Sequence, residues 1–91
     1  MKKAAKIIVK GTVQGLYFRN FVKESADQLE LRGFVRNLEN GSVEVVVEGE
    51  IDNVDKMHEL CKTGPKNAIV KNVIMEEVSF QDLRDFKILH I

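Results

Sequence analysis

At Gln14-Gly15 the spacing of apolar residues switches from two to between three and four. Before the switch, Lys6 to Val13 alternates, with Ile7, Val9, Gly11 and Val13 on one side, which predicts a half-buried strand. After it, Phe18, Phe21, Val22, Ser25, Ala26 and Leu29 form one stripe of an amphipathic helix. Gly33 is read as the stop of that helix. Phe34 to Leu38 predicts a second strand, and Asn40-Gly41 supplies a hairpin turn, because both residues tolerate positive φ. Val43, Val45 and Val47 alternate with Glu44, Val46 and Glu48 as a third strand.

The switch then repeats. Asp52 is the expected N-cap of a second helix with the stripe Ile51, Val54, Met57, Leu60 and Cys61, ended by Gly64-Pro65. Ile69 to Val78 predicts a fourth strand and Phe86 to Ile91 a short fifth. The order βαββαβ plus a final strand predicts an α+β fold, a ferredoxin-like split βαβ sandwich. Two helices pack on one face of a mostly antiparallel sheet, since right-handed crossovers leave few other topologies. The first and second strands then run parallel with the third between them. Their C-terminal ends share one sheet edge, which brings the loop after Val13 within roughly 9–10 Å of Asn37, two strand spacings away.

Residues 1–91 are expected to form one domain. Fourteen basic residues balance fourteen acidic ones, which argues against a nucleic-acid binder built on clustered positive charge. A single cysteine, Cys61, permits no internal disulfide and fits a cytoplasmic setting. Met1-Lys2-Lys3 leads into no long apolar run, so neither a signal peptide nor a membrane span is expected.

The segment Gly11-Thr12-Val13-Gln14-Gly15-Leu16-Tyr17-Phe18-Arg19 sits where strand becomes helix. Amides at a helix N-terminus lack partners, and the helix dipole adds partial positive charge there, so the place suits a phosphate. Gly15 lets the backbone fold around an anion, and Arg19 adds a planar fork of donors. A cation in a first helical turn is unfavourable by up to about 1 kcal/mol unless an anion sits beside it. Two readings stand at this point: an anion site, or a turn that uses glycine for geometry beside a solvated arginine. Asn37 is likewise either a turn residue or a site residue, although Asn40-Gly41 already supplies the turn chemistry.

Gly11-x-Val13-Gln14-Gly15-x-x-Phe18-Arg19 is followed by Gly33-Phe34-Val35-Arg36-Asn37 running into Asn40-Gly41-Ser42-Val43-Glu44. Glu48-Gly49, Gly64-Pro65-x-x-Ala68-x-Val70 and Phe86-x-Ile88 come after in order. In these blocks, which span nearly the whole chain, the sequence resembles the acylphosphatase family. Leu16 stands where valine is usual and Phe34 where tryptophan is common, and both changes keep the position apolar. The resemblance implies hydrolysis of acyl phosphates to carboxylate and inorganic phosphate. It implies catalytic roles for Arg19 and Asn37, and a phosphate held by the backbone amides of Gln14, Gly15, Leu16, Tyr17, Phe18 and Arg19 together with the Arg19 guanidinium. Asn37 orients the attacking water. No cofactor, no metal and no covalent phosphoenzyme are implied.

Such chemistry needs little acid help, because the leaving carboxylate is a weak base. Neither guanidinium nor amide titrates near neutrality, so no bell-shaped pH profile from an enzyme acid and base is expected. His58 and His90 read as packing or surface residues, with no third ligand spaced for zinc. Cys61 and Met57 read as core, and Glu44, Glu48 and Glu50 as a solvated strand face and its exit. An RNA-binding module of this topology would place aromatics on its central strands, where the third strand here has only valines. A metal-chaperone domain would carry Cys-x-x-Cys after the first strand. A carbamoyl-phosphate-handling domain would open a larger enzyme, and the 91-residue length favours a free-standing hydrolase acting on a small-molecule acyl phosphate, expected to be a monomer because no unpaired apolar stripe is evident.

Overall fold

The structure is a computed structural model and describes residues 1–90. The elements run β1 (Lys2–Thr12), α1 (Leu16–Gln28), β2 (Arg32–Asn37), β3 (Val43–Glu50), α2 (Ile51–Thr63), β4 (Ile69–Val78) and β5 (Phe86–Ile88). They form one sheet in the order β4-β1-β3-β2-β5. Every pairing is antiparallel except β2 with β5. The expected α+β sandwich is observed, and β1 and β2 are parallel about a central β3. The last residue of the expected fifth strand, Ile91, lies outside the described residues.

Alternation decides which side chains enter the core. Ala5, Ile7 and Val9 of β1, Val43, Val45 and Val47 of β3, and Val35 and Phe86 meet Phe18, Val22 and Ala26 of α1 and Val54, Met57 and Cys61 of α2. The helices divide the sheet between them. α1 lies over β2 and β5, whereas α2 lies over β1 and β4. That division carries the N-terminus of α1 toward the end of β5, with consequences for Arg19. Leu60, expected in the α2 stripe, is 37 % exposed at the edge of that helix.

Several local expectations are corrected. Gly33 does not stop α1, which ends at Gln28 with Glu30 at φ 55 beyond it. It lies inside β2 at φ 142, where an added Cβ would fall 1.8 Å from the Val46 carbonyl oxygen. A glycine needed for close backbone approach carries the same sequence signature as one needed for a helix stop. Asp52 is not the N-cap of α2. The helix starts at Ile51 after Glu50, and Asp52 adds its charge to the first turn instead. In the hairpin only Gly41 has positive φ, at 90°. Gly41 N–H donates to the Leu38 carbonyl and Leu38 N–H to the Ser42 carbonyl, which makes a three-residue loop rather than a two-residue one.

Of the β3 glutamates only Glu50, at the strand exit, is exposed as expected, whereas Glu44 and Glu48 are not solvated. Glu44 is 9 % exposed and accepts from Arg36 Nε at 2.7 Å, and Glu48 is only 2 % exposed. The segment 79–85 crosses from the β4 edge of the sheet to the β5 edge, and Glu48 holds it by accepting from the N–H groups of Gln81 and of Leu83, the latter at 2.8 Å. Removing this carboxylate strands two backbone donors, each at about 1–3 kcal/mol. Glu48→Ala is therefore expected to lower the unfolding free energy by about 2–6 kcal/mol, read as a reduced urea midpoint. An unchanged midpoint would show that the crossing segment holds itself.

Cys61 is fully buried, and burial pushes its thiol from 9.0 up to about 12. A folded-state value raised above the unfolded one favours folding below the unfolded value. That contribution is lost as pH rises between 9.0 and about 12, where only the unfolded chain deprotonates. Stability should fall through this window by up to about 1.4 kcal/mol per pH unit more in the wild type than in Cys61→Ala. In native protein at pH 8 the thiol should resist iodoacetamide, with alkylation appearing only on unfolding. Rapid modification of folded protein would contradict this.

Candidate active site

The loop and Asn37 meet because of strand register. Val9 pairs with Val43, and Val43 pairs with Asn37, so these three residues form one row across β1, β3 and β2. Val9 and Val43 point into the core, which places Asn37 on the helix-covered side of the sheet. The side chain of Gln14 fastens the loop to the hairpin. Its Nε2 donates to the Ser42 carbonyl at 2.8 Å and to the Leu38 carbonyl at 3.4 Å. The resemblance implies only a backbone role for Gln14, and its side chain fastens the loop as well.

Gly15 is the N-cap of α1 at φ 98, ψ 174, a conformation essentially reserved for glycine. No side chain caps the helix, and its first turn holds no acid. In a helix starting at Leu16 the amide of Arg19 is the first to find an intrahelical acceptor, Gly15 O, so the amides of Gly15, Leu16, Tyr17 and Phe18 are the ones left over. Gly15, Leu16 and Tyr17 are exposed, whereas the Phe18 ring is buried to 2 % and pins the first turn to the core. The loop thus has a fixed frame and an open mouth.

Arg19 leans back over this turn. Its Nε donates to the Gly15 carbonyl at 3.3 Å and its Nη1 to the Leu89 carbonyl at 3.0 Å. Among the described residues no carboxylate pairs with it; the ion pairs of the molecule involve other residues. Neutral acceptors orient the guanidinium without cancelling its charge. The dipole of the helix and the arginine therefore present positive charge to the same place, an arrangement that an anion stabilises.

Asn37 shows a complementary deficit. Its Oδ1 is buried and has no hydrogen-bond partner among the described residues. Buried polar atoms are nearly always paired, and orphans concentrate where a ligand or water completes them. A hollow at the opposite end of the sheet, lined by Lys2, Glu30, Arg32, Glu48, Glu50 and Asp82 among others, carries more acids than bases and does not suit a phosphate. No group of three or more His, Cys, Asp or Glu among the described residues is placed to hold a metal. No helix there is long and apolar enough to cross a membrane.

An uncapped helix N-terminus and an arginine that no carboxylate pairs with among the described residues meet at a strand–helix junction of a five-stranded α+β sandwich, an arrangement suited to an anion. Residues 5–88 match the acylphosphatase family model. The chain belongs to the acylphosphatase family, a family of hydrolytic enzymes. It is 41 % identical over 85 residues to an acylphosphatase of Marinobacter nauticus, covering 92 % of each chain. It is similar in structure to an acylphosphatase from Coxiella burnetii, with a TM-score of 0.92 and 39 % identity over 97 % of this chain and 93 % of that one. The same fold forms 12 % of full-length HypF in a phosphate- and nucleotide-bound structure, at TM-score 0.86 and 28 % identity.

Proposed function

We propose that this member of the family hydrolyses the carboxyl–phosphate bond of acyl phosphates without a metal, releasing a carboxylate and inorganic phosphate. The observation that carries this reading is Arg19, oriented by the Gly15 and Leu89 carbonyls and paired with no carboxylate among the described residues, beside amides that no side chain caps. The phosphate sits against the Gln14-to-Arg19 loop, accepting chiefly from the uncommitted amides of Gly15, Leu16, Tyr17 and Phe18, and accepts from the free edge of the guanidinium. Asn37 orients a water on the far side of phosphorus from the acyl oxygen. The water oxygen forms the new P–O bond as the P–O(acyl) bond breaks, and the bonding pair leaves on the carboxylate. The water proton departs with the phosphate product.

The residues suit the energetics of this step. Phosphoryl transfer to water needs positioning and stabilisation of charge on the equatorial oxygens more than covalent help. Donors held in place before the reaction supply that stabilisation without reorganising. We place the enzyme in the cytoplasm as a monomer, in keeping with a buried, unpaired Cys61.

The test is purified protein with acetyl phosphate in the presence of a chelator, following phosphate release. Turnover should be saturable, and inorganic phosphate should inhibit it competitively, since the product retains the group that is gripped. A protein that binds phosphate without turnover would be a binding module instead. One that does neither would end the anion-site reading altogether.

A further inference from the structure

The last residues of the chain enter the site from the edge of the sheet. β5 pairs with β2 in parallel through Gly33–Phe86, Phe34–Lys87 and Val35–Ile88. Leu89 N–H extends the ladder by donating to the Val35 carbonyl at 2.9 Å. Two residues beyond Val35 and Ile88 stand Asn37 and His90. His90 turns toward α1, where its Nδ1 lies 3.5 Å from Arg19 Nη1. The same Nη1 donates to the Leu89 carbonyl. Consecutive residues therefore face one end of the guanidinium, a carbonyl oxygen and an imidazole nitrogen, and among the described residues Nη2 has no partner.

We propose that His90 is a positioning residue for Arg19. Resting on the reading of the site given above, it helps to hold Nη1 so that Nη2 stays presented to the phosphate. The contact works in one protonation state only. Arginine always donates, so Nδ1 must be an unprotonated acceptor. A protonated imidazole has no acceptor left and sets a like charge against Arg19. Histidine is the side chain whose charge ordinarily changes between about pH 5 and 8.

Among the described residues few other charges bear on His90. From α1, Arg19 faces it, and Lys23 one turn further on is paired with Asp27 at 2.8 Å. On β2 the nearest charged residue is Arg36, which lies on the opposite sheet face and is paired with Glu44 at 2.7 Å. Lys87 of β5 belongs to that opposite face as well, by strand alternation. Acidification should thus weaken the hold on phosphate through His90 while leaving the chemical step alone.

The experiment compares wild type, His90→Ala and His90→Asn with acetyl phosphate between pH 5 and 8. Asparagine keeps an acceptor near the Nδ1 position and cannot be protonated. At pH 8, His90→Ala should raise KM about threefold to tenfold, the range for loss of one partly exposed hydrogen bond to a charged group, with kcat nearly unchanged, and His90→Asn should restore KM. The ratio of wild-type KM to His90→Asn KM should rise as pH falls, because substrate ionisation cancels in that ratio. Two results would overturn the proposal: His90→Ala indistinguishable from wild type at pH 8, or a ratio that falls on acidification because the imidazolium attracts phosphate directly. Arg19→Ala in the same assay separates the two levels. If it is inactive while His90→Ala behaves as wild type, only the role of His90 fails. If it is fully active, the reading of the site fails and takes the role of His90 with it.

Discussion

Arg19→Ala is expected to lower kcat/KM for an acyl phosphate by roughly 10²–10³, the usual loss when one preorganised donor to a developing charge is removed. The expectation rests on what holds the side chain. Among the described residues it donates to the carbonyls of Gly15 and Leu89 and lies beside His90 Nδ1, and no carboxylate there neutralises its charge. Stability should hardly change. Losing the hydrogen bonds to two carbonyls is offset by relief of a cation from the first turn of α1, each about 1 kcal/mol or less. Arg19→Lys should recover little, since one ammonium cannot donate to the loop carbonyl, the β5 carbonyl and a phosphate in the geometry of a planar fork. Steady-state kinetics with acetyl phosphate and a thermal melt of the same sample decide the matter. Full activity in the alanine variant would remove Arg19 from the mechanism.

Asn37→Ala should act differently. A residue that orients water contributes after substrate is bound, so kcat should fall by about 10²–10³ while KM stays close to the wild-type value. The variant should also be at least as stable as the wild type. The buried Oδ1 of Asn37 has no partner among the described residues, and an unsatisfied buried acceptor is unfavourable by about 1–3 kcal/mol. A gain in urea midpoint together with a collapse of kcat is the behaviour of a residue kept for function at the expense of the fold. Loss of stability with kcat intact would instead return Asn37 to the role of a turn residue. Asn37→Asp is a useful companion, because a carboxylate at that position repels the phosphate and should raise KM as well.

Much of this site is legible along the chain, and the exceptions share a cause. The stripe of α1, the valine alternation of β3 and the Asn40-Gly41 turn follow from local periodicity and turn chemistry. Together they place Asn37 at the same sheet edge as the loop. Gly33 is misread because the Val46 carbonyl that requires it belongs to another strand. Glu44 and Glu48 look solvated because alternation assigns them to the uncovered face. Only the crossing segment 79–85 and the Arg36 side chain bury them. Gln14 likewise has no local sign that its amide reaches the Ser42 carbonyl.

The switch of period at Gln14-Gly15 determined by itself that a strand gives way there to a helix with exposed amides and an arginine in its first turn. Those are properties of neighbours in sequence, set by side-chain spacing and by the conformational freedom of Gly15. What the sequence alone did not decide is how Arg19 is held. Its anchors, Leu89 and His90, lie 70 and 71 residues away. They reach it because β5 pairs in parallel with β2 under α1, and a three-residue strand carries no signal of its partner. Periodicity therefore placed the loop, and the choice of sheet edge by β5 oriented the charge within it.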